Sequence, residues 1–529
     1  MSLPSPISIV DVVHRTGFLD PRRLLALTTS ITRWGPTAAA VYATGAFVTP
    51  NRPAVVDGAG RVSYSELHRR SSALAKGLRQ LGLGADGRLG VACRNHADFV
   101  ELTVAAAKIG AGVVYLNTGF ARPQMTEVVR REDIAVLAVD DALLDLVDES
   151  IDTPVVVAAT SAADRTSDFG TGRHTMEQVR SLGRFRLPLV ATTPRPPVLL
   201  TSGTTGTPKG AQRSNRVDPV AALGIVERIP YRHDDVVAIT SPLFHAWGLA
   251  QSTLASVLGA TIVVSEAFDP EEALATIERE RVTVLVVVPV LLQRMLASPA
   301  LDTTDLSSLR IVASSGSALP VPSVVEWLDR VGPNLYNLYG STEVGQATLA
   351  APDDLVAHPG TAGRAMPGCS VRILDEFGAE VPTGETGRIF VGNGAQFEGY
   401  TGGGGKEIVD GIMSSGDVGY LDADGLLFVT GRADDMIVSG GENVFPQEIE
   451  DLLLDDERIA DVALVGVDDD EFGQRLAAHV VIAPGARLSA AAVRTLVSDN
   501  LARHKVPRDV VFVDELPRTT TGKIRRNQL

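Results

Sequence analysis

The loop 201-TSGTTGTPKG-210 combines glycines, hydroxyl side chains and one lysine, a composition that suits an anion. Glycines let backbone N–H groups approach an anion closely, and threonine and serine hydroxyls add further donors. The common phosphate loop, GxxxxGK[ST], does not fit, because Lys209 precedes Gly210 and no hydroxyl follows it to hold a metal ion. The apolar run 198-VLL-200 places the loop at the end of a strand. We therefore predict a polyphosphate-binding loop of another kind.

Four more stretches carry side chains that could act on a nucleotide: 339-YGSTE-343, 415-SGDVGY-420, 431-GRADD-435 and 517-PRTTTGKIRR-526. Aromatic faces suit purine faces, a hard cation prefers carboxylate oxygen, and one carboxylate can accept from both hydroxyls of a vicinal diol. Taken singly, each stretch also has a simple structural interpretation, as a surface acid, a turn aspartate or a solvated basic tail. Their chemistry becomes specific only in combination.

The elements that must position these residues begin with a helix near residue 63. Ser63 and Glu66 have capping-box spacing, and Gly82 ends the helix. One face of this helix is apolar, with Leu67, Leu74, Leu78 and Leu81. Strand and helix then alternate at 89–92, 97–109, 113–116, 261–264, 270–280, 282–288, 290–297 and 310–313. This alternation predicts an α/β fold with a largely parallel sheet and helices on both faces.

The pattern changes after about residue 430. Two strands (462–467 and 476–482), a helix (489–503) and a strand (510–513) predict a small α+β unit. We therefore predict a large N-terminal domain of mixed sheets with helices on both faces, residues 1–432. A small mobile C-terminal domain, residues 433–529, follows the boundary near 431-GRADDMIVSGGENVFP-446.

Composition excludes several classes of protein. The net charge of −16 argues against general nucleic-acid binding, which needs a basic surface to replace counterions. The two cysteines, Cys93 and Cys369, have no partner spacing, so we expect no His/Cys cluster, structural zinc site or disulfide framework. The N-terminus lacks the basic region of a secretory signal. The sequence therefore favours a cytoplasmic protein.

Membrane contact is open in one region only. The apolar run 282-VTVLVVVPVLL-292 is far shorter than the ~20 residues of a spanning helix, and it predicts a buried parallel strand. Residues 23–48 are apolar and broken at Gly35-Pro36. We favour two helices packed on the body, with peripheral contact with a membrane surface as the alternative. A homodimer is also left open.

Together the five motif stretches resemble the signatures of the adenylate-forming superfamily, which includes acyl-CoA synthetases, aryl-CoA ligases, luciferases and amino-acid adenylation domains. They occur in the family's order and separation, so the resemblance covers the chain from about residue 50 to its end. It implies ATP, Mg²⁺ and CoA as cofactors and a small-molecule carboxylic acid as the substrate. One departure, Ile412-Met413 in place of the usual tryptophan, leaves the local loop shape open.

The resemblance also implies a role for each matching residue. Tyr339 would stack on adenine, Thr342 would meet the α-phosphate, Glu343 would hold Mg²⁺, and Asp417 would take the ribose hydroxyls. Lys523 would bridge the substrate carboxylate and the α-phosphate. The implied nucleotide-binding set is Thr201, Ser202, Gly203, Thr204, Thr205, Gly206, Lys209, Ser315, Gly316, Tyr339, Gly340, Asp417 and Arg432. Similar enzymes have their hinge at Asp434, and Gly440 and Gly441 resemble residues that let the pantetheine arm pass.

The resemblance implies two steps, formation of an acyl-adenylate with release of pyrophosphate and transfer of the acyl group to a thiol. Amino-acid enzymes carry an aspartate in the segment matching 241-SPLFHAWG-248, and this chain has none there. His245 is placed in the catalytic set, where His245-Ala246-Trp247 could gate an apolar pocket. The small residues of 248–260 leave room for an alkyl chain or allow close helix packing.

We therefore expect a fatty-acid–CoA ligase for medium- or long-chain acids. The alternatives are an aryl or alicyclic acid–CoA ligase, and an acyl-AMP ligase that loads a carrier-protein thiol. A non-enzymatic nucleotide-binding protein is a further hypothesis, against which the intact Thr342, Glu343, Asp417 and Lys523 argue.

Overall fold

The computed structural model describes residues 6–159, 172–183, 195–201, 209–213, 219–401, 403–439, 442–469, 473–519 and 522–529. The chain forms two compact units. We call residues 2–313 and 394–405 the N-terminal unit, and residues 314–393 and 406–529 the C-terminal unit.

The N-terminal unit alternates helices and strands along most of its length. Its helices are α1 (Pro6–Arg15), α2 (Pro21–Trp34), α3 (Ala38–Val48), α4 (Tyr64–Gln80), α5 (Ala97–Ile109), α6 (Arg122–Arg131), α7 (Met176–Leu182), α8 (Pro219–Arg228), α9 (Ala246–Leu258), α10 (Pro270–Arg279) and α11 (Pro289–Leu296). Its strands are β1 (Pro53–Asp57), β2 (Gly60–Ser63), β3 (Arg88–Ala92), β4 (Gly112–Tyr115), β5 (Ile134–Asp140), β6 (Val155–Ala158), β7 (Arg173–Thr175), β8 (Val198–Thr201), β9 (Lys209–Arg213), β10 (Val236–Ile239), β11 (Thr261–Val264), β12 (Val284–Val287) and β19 (Phe397–Tyr400).

Two sheets organise this unit. One has the strand order β19-β9-β8-β4-β3-β5-β6-β7, parallel from β8 to β7 and antiparallel at β8–β9 and β9–β19. In the other, β12, β10, β11 and β1 are parallel neighbours, and β2 joins β1 antiparallel. Continuous apolar runs such as Val284–Val287 are buried along their whole length, as parallel strands require. The predicted α/β class with mixed sheets is therefore confirmed.

Local capping explains where the predicted helices begin and end. The hydroxyl of Ser63 accepts the backbone N–H of Glu66 at 3.2 Å and starts α4, whose Leu67 and Leu74 are fully buried. Gly110, in the left-handed region at φ 79°, ends α5. The strand–helix boundaries predicted from 89 to 116 and from 261 to 313 agree with the structure within a few residues.

The C-terminal unit is richer in antiparallel strands. The chain enters it through β13 (Ile311–Ser315). Its helices are α12 (Val321–Arg330), α13 (Pro352–Ala357), α14 (Pro446–Leu454) and α15 (Ala490–Asn500). Its other strands are β14 (Leu335–Ser341), β15 (Gly345–Ala350), β16 (Arg364–Ala365), β17 (Ser370–Leu374), β18 (Gly387–Gly392), β20 (Ile408–Val409), β21 (Ile412–Leu421), β22 (Leu427–Arg432), β23 (Ile437–Ser439), β24 (Glu442–Val444), β25 (Ile459–Asp469), β26 (Gly473–Ile482) and β27 (Asp509–Phe512).

Two five-stranded sheets dominate this unit. The first is β17-β18-β21-β20 with β22 added to β21, and the second is β24-β23-β26-β25 with β27 added to β26. The second sheet, with α14 and α15, is the small α+β domain that the sequence predicts. The predicted helix 489–503 is shorter in the structure, because Leu501 adopts an extended conformation after Asn500. The domain boundary near residue 432 stays a prediction, since the compact units divide the chain elsewhere.

The apolar N-terminal region forms helices on both sides of Gly35-Pro36, as the sequence predicts. Among the described residues, no helix combines the length and the apolar character that crossing a membrane requires.

Candidate active site

The motif 339–343 covers the end of β14 and the turn that leads to β15. These strands form an antiparallel hairpin in which Gly340 pairs with Gln346. A Cβ on Gly340 would lie 2.1 Å from the carbonyl oxygen of Gly345, so only glycine fits this close approach. The hydroxyl of Ser341 accepts the backbone N–H groups of Glu343 and Val344, both at 3.2 Å. The turn therefore fixes the backbone at Thr342 and Glu343.

Asp417 is the centre of a hydrogen-bonded group. It lies on β21 and pairs in register with Arg432, the last residue of β22. One carboxylate oxygen accepts from Arg432 Nη1 at 3.2 Å, and the other accepts from the Tyr339 hydroxyl at 2.6 Å. Three of the predicted nucleotide-binding residues, from separate motifs, thus meet at one carboxylate.

Ser415 fixes the backbone at Asp417 and was not predicted as a site residue. Its hydroxyl accepts the backbone N–H of Asp417 at 3.1 Å and donates to the carbonyl of Ile389 at 3.1 Å. The spacing of a hydroxyl residue two positions before an aspartate is the sequence signal that could have identified it.

Burial sets the titration of this group. It raises the pKa of Asp417 above its ordinary value, although Tyr339, Arg432 and Lys523 act in the opposite direction. Burial also raises the pKa of Tyr339, and the Asp417 carboxylate raises it further. The phenol therefore remains a hydrogen-bond donor to Asp417.

Lys523 belongs electrostatically to the same group. Its backbone is fixed by a reciprocal pair with Thr519, whose N–H donates to the Lys523 carbonyl at 2.8 Å and whose hydroxyl accepts the Lys523 N–H at 3.1 Å. The side chain keeps solvent access, yet desolvation by the surrounding protein lowers its pKa. Arg432 lowers that pKa further, whereas Asp417 and Glu343 raise it. Positive and negative charges from four motifs thus act on one another.

The predicted loop 314-SSGSALP-320 begins with the last two residues of β13. Ser315 is buried, and Gly316 has φ 104°, in the region that favours glycine. The hydroxyl of Ser314 is buried and has no hydrogen-bond partner among the described residues. A buried hydroxyl without a partner is unusual in a protein interior.

The predicted phosphate loop leaves the end of a strand, as expected. In the N-terminal unit, β8 and β9 are antiparallel and Thr201 pairs with Lys209. Lys209 Nζ lies 5.4 Å from the centre of the Tyr400 ring. The predicted loop residues Ser202, Gly203, Thr204, Thr205 and Gly206 lie outside the described residues.

His245 also lies in the N-terminal unit, immediately before α9. Its ring centre is 4.5 Å from that of Phe244. Trp247, two residues later, donates from Nε1 to the carbonyl of Val287 at 3.1 Å.

The small residues of α9 pack closely against their surroundings. A Cβ on Gly248 would lie 2.4 Å from the carbonyl oxygen of Pro242. Ser256 donates to the buried Tyr42 hydroxyl at 2.7 Å. The hydroxyl of Tyr231 donates to Gln251 Oε1 at 2.6 Å, also in a buried position. Helix packing, one of the two interpretations of this segment, accounts for these residues.

The predicted hinge and CoA residues lie after β22. Asp434 is in a 3₁₀ segment, Ala433–Asp435, between β22 and β23. Gly440 and Gly441 fall outside the described residues.

The structure corrects the expectation that no His/Cys cluster exists. Cys93, His96 and Asp140 are all buried, with potential ligand atoms within 4.8 Å of one another. His96 Nε2 lies 2.8 Å from one oxygen of Asp140, and the other oxygen accepts the backbone N–H of Arg94 at 2.7 Å. This cluster could not be identified from spacing in the sequence, because the carboxyl ends of the parallel strands β3 and β5 come together only in the folded sheet.

The sequence matches two family profiles. The profile described as AMP-binding enzyme matches residues 43–401, and that of the AMP-binding enzyme C-terminal domain matches residues 448–523. Among solved structures, ATP-bound MatB from Rhodopseudomonas palustris is similar, with a TM-score of 0.81 and 28% identity over 93% of this chain and 98% of that one.

Several curated relatives cover most of the chain. Indoleacetate–CoA ligase of Aromatoleum aromaticum is 34% identical, covering 88% of this chain and 92% of its own length. Feruloyl-CoA synthase of an Amycolatopsis species is 32% identical (91% and 96%), and fatty acid–[acyl-carrier-protein] ligase ScoC of Streptomyces coeruleorubidus is 31% identical (91% and 93%). These matches confirm the predicted superfamily and fold: the chain belongs to the AMP-binding enzyme family of adenylate-forming ligases.

Proposed function

We propose that the protein is an AMP-forming acid–CoA ligase whose substrate is an aryl or alicyclic carboxylic acid. The main support for this type of reaction is that four side chains of the C-terminal unit interact with one another: Tyr339, Asp417, Arg432 and Lys523. An aromatic ring, a carboxylate suited to a diol and two cations form a set that matches the adenosine, ribose and α-phosphate of ATP.

The first step joins the acid to AMP. A carboxylate oxygen attacks the α-phosphorus of ATP in line, the bond to the bridging oxygen breaks, and pyrophosphate leaves. Because anion approaches anion, positioning and positive charge account for most of the rate. Lys523 supplies charge at the reacting oxygens and Thr342 supplies a hydroxyl donor. The loop 201–210 contributes donors for the remaining phosphates.

Glu343 is the candidate ligand for Mg²⁺. In nucleotide sites, Mg²⁺ is bound by one or two carboxylates together with phosphate oxygens, and it neutralises charge on the phosphates. The single carboxylate of Glu343, fixed by the Ser341 turn and within electrostatic range of Lys523, fits that donor set.

The second step transfers the acyl group to CoA. The thiol sulfur attacks the carbonyl carbon of the acyl-adenylate, AMP leaves, and the thiol proton passes to solvent. Asp434 remains the proposed hinge between the steps, and Gly440 and Gly441 remain the proposed pantetheine contacts. A carrier-protein thiol is the alternative acceptor, and the relative ScoC favours testing it.

An aryl or alicyclic acid replaces a fatty acid as the proposed substrate. The relatives named for indoleacetate and ferulate support it. In addition, the close packing of Gly248 and Ser256 on α9 uses the space that an alkyl chain was expected to occupy. Both cysteines are free thiols, which supports the reducing cytoplasm as the proposed setting.

Competitive turnover tests this proposal. The protein is incubated with ATP, Mg²⁺, CoA and a mixture of indole-3-acetate, ferulate, benzoate, octanoate and palmitate, and thioesters are quantified by mass spectrometry. We expect an aromatic thioester to dominate, with the matching acyl-adenylate when CoA is omitted. A preference for octanoate or palmitate would instead support a fatty acid as the substrate. Transfer to a holo carrier protein but not to CoA would favour the second acceptor.

A further inference from the structure

Helix α2 precedes the part of the chain that the AMP-binding profile matches. The helix is firmly docked by Arg23, which is buried on its inner face and donates to the carbonyls of Thr16 and Leu258. Ala26 and Trp34 are buried on the same side. The opposite face is therefore a fixed surface of the N-terminal unit.

This outer face is apolar to an unusual degree. Leu25 is 65% exposed, Leu24 47% and Ile31 39%. Leu19, just before the helix, and Phe47, on the neighbouring α3, are also exposed. Several exposed large apolar side chains within about thirty residues mark an interaction surface rather than ordinary surface scatter.

The hydroxyl groups on this face donate hydrogen bonds within the helix itself. Thr28, Thr29 and Thr32 are exposed, and each hydroxyl donates to the carbonyl four residues earlier at 2.8 Å. Their donors are satisfied within the helix, so their methyl groups extend the apolar face. Such a face offers few hydrogen bonds to a protein partner, whose interfaces carry about one per 100–200 Å².

The exposed face of α2 carries basic side chains and no acidic ones. The chain as a whole carries −16, yet the helix itself contains three arginines and no aspartate or glutamate, and its one adjacent acid is the exposed N-cap residue Asp20. With about 3.6 residues per turn, Arg22 and Arg33 lie within about 20° of each other, at one edge of the exposed arc. Both are exposed. The Arg33 guanidinium lies 4.6 Å from the centre of the Trp34 ring at the edge of the face, and the long stem of Arg22 allows its guanidinium to reach an anionic layer above an apolar one.

We propose that the outer face of α2 binds the surface of an anionic lipid bilayer, with Leu24, Leu25 and Ile31 in the headgroup–acyl boundary. An apolar face with basic residues at its edge is the pattern of helices that lie in the membrane interface. A two-fold contact between antiparallel copies of α2 would place the two arginine edges side by side, which disfavours that form of dimer. This surface contact is independent of the proposed reaction.

Vesicle flotation of the full chain tests the proposal. Vesicles of phosphatidylcholine with phosphatidylglycerol should bind the protein, and vesicles of phosphatidylcholine alone should bind it much less. Leu24→Gln/Leu25→Gln should weaken binding at least about tenfold. Arg22→Gln and Arg33→Gln should each weaken it about fivefold and reduce its salt dependence.

Phe377→Gln is the matched control, because Phe377 is 86% exposed but lies in the C-terminal unit, and it should bind as wild type. Thr28→Glu adds a negative charge to the face while Leu24, Leu25 and Ile31 stay in place, and it provides a second test if the leucine variant unfolds at a lower temperature. Turnover of a water-soluble acid should be unchanged in all variants. Three results would each overturn the proposal. The wild-type protein does not bind anionic vesicles, or both the leucine variant and Thr28→Glu bind them as well as wild type does, or the leucine variant abolishes a dimer of a protein that binds no vesicles.

Discussion

Two lysines of this protein have lowered pKa values with the same main cause, desolvation by the surrounding protein, but lie in opposite kinds of surroundings. Lys108, on α5, has no exposed surface. Its ammonium donates to the hydroxyls of Ser71 and Ser72 at 2.8 and 2.7 Å and to the carbonyl of His68 at 2.7 Å. Lys523 keeps solvent access and interacts with Asp417, Glu343 and Arg432.

The difference separates a structural lysine from a functional one. Burial lowers the pKa of Lys108 to about 7, with Glu101 opposing the shift and Arg33 adding to it. Its hydrogen-bond partners are neutral groups of α4, and the buried ammonium is not accessible to a substrate. Lys523 instead sits among charges of both signs that a substrate can approach. A perturbed pKa indicates a site only when access and charge partners accompany it.

The largest effect should follow from removing the accessible lysine. Lys523→Ala should reduce the rate of thioester formation from acid, ATP and CoA by about 10²–10³-fold, because it removes charge that stabilises the transition state of adenylation. Lys76→Ala, in α4 of the N-terminal unit, is the control and should retain the wild-type rate. A rate within a few fold of wild type for Lys523→Ala would end its assignment to the reacting centre.

The next largest effect should follow from removing the Asp417 carboxylate, which accepts hydrogen bonds from Tyr339 and Arg432. Asp417→Ala should lower kcat/KM for ATP by about 10²-fold or more, because two hydrogen bonds to a charged group are lost. Asp424→Ala, in the exposed turn between β21 and β22, is the matched control. Steady-state kinetics with varied ATP give the comparison, and equal values for both variants would contradict the proposed ribose contact.

Lys108 should affect stability but not turnover. Its folded pKa of about 7 lies below the ordinary 10.5, so between these values the unfolded chain holds a proton that the folded chain lacks. The free energy of unfolding therefore rises with pH across that window, and the full cost of burying the lysine applies below about pH 7. Relative to wild type, Lys108→Met should be more favourable at pH 6 than at pH 9, by about 2–3 kcal/mol.

Denaturant unfolding at both pH values measures this difference. A Lys108→Met difference independent of pH would show that the ammonium is charged throughout, and a loss of turnover at unchanged stability would remove the contrast between the two lysines.

The smallest effect should come from the Tyr339 hydroxyl. Tyr339→Phe keeps the aromatic ring and removes only the hydrogen bond to the Asp417 carboxylate, worth about 1.5 kcal/mol or roughly tenfold in kcat/KM. Tyr339→Ala removes the ring as well and should cost clearly more. Equal losses for the two variants would argue against stacking on adenine.

Sequence reasoning captured those features that local chemistry determines. The Ser63 cap, Gly82 at the end of α4 and the apolar run 284–287 follow from short-range rules, and each is present in the structure. The motif residues Tyr339 and Asp417 could also be named in advance. Their hydrogen bond could not, because it joins strands 78 positions apart in the chain.

Long-range proximity explains the remaining errors. Asp140 completes a cluster with Cys93 and His96 only because β3 and β5 are neighbours in a parallel sheet. The small residues of α9 could equally have left space or allowed close packing. The contacts of Gly248 and Ser256 distinguish these readings, and neither contact is visible in the sequence.

The most direct test of the account follows Lys523→Ala through each half-reaction separately. Acyl-adenylate formation is measured with acid and ATP in the absence of CoA, and thioester formation is measured from supplied acyl-adenylate and CoA. We predict that the first rate falls by about 10²–10³-fold while the second stays within about threefold of wild type, because the lysine acts on charge that develops only in adenylation. Equal loss of both half-reactions would contradict the account.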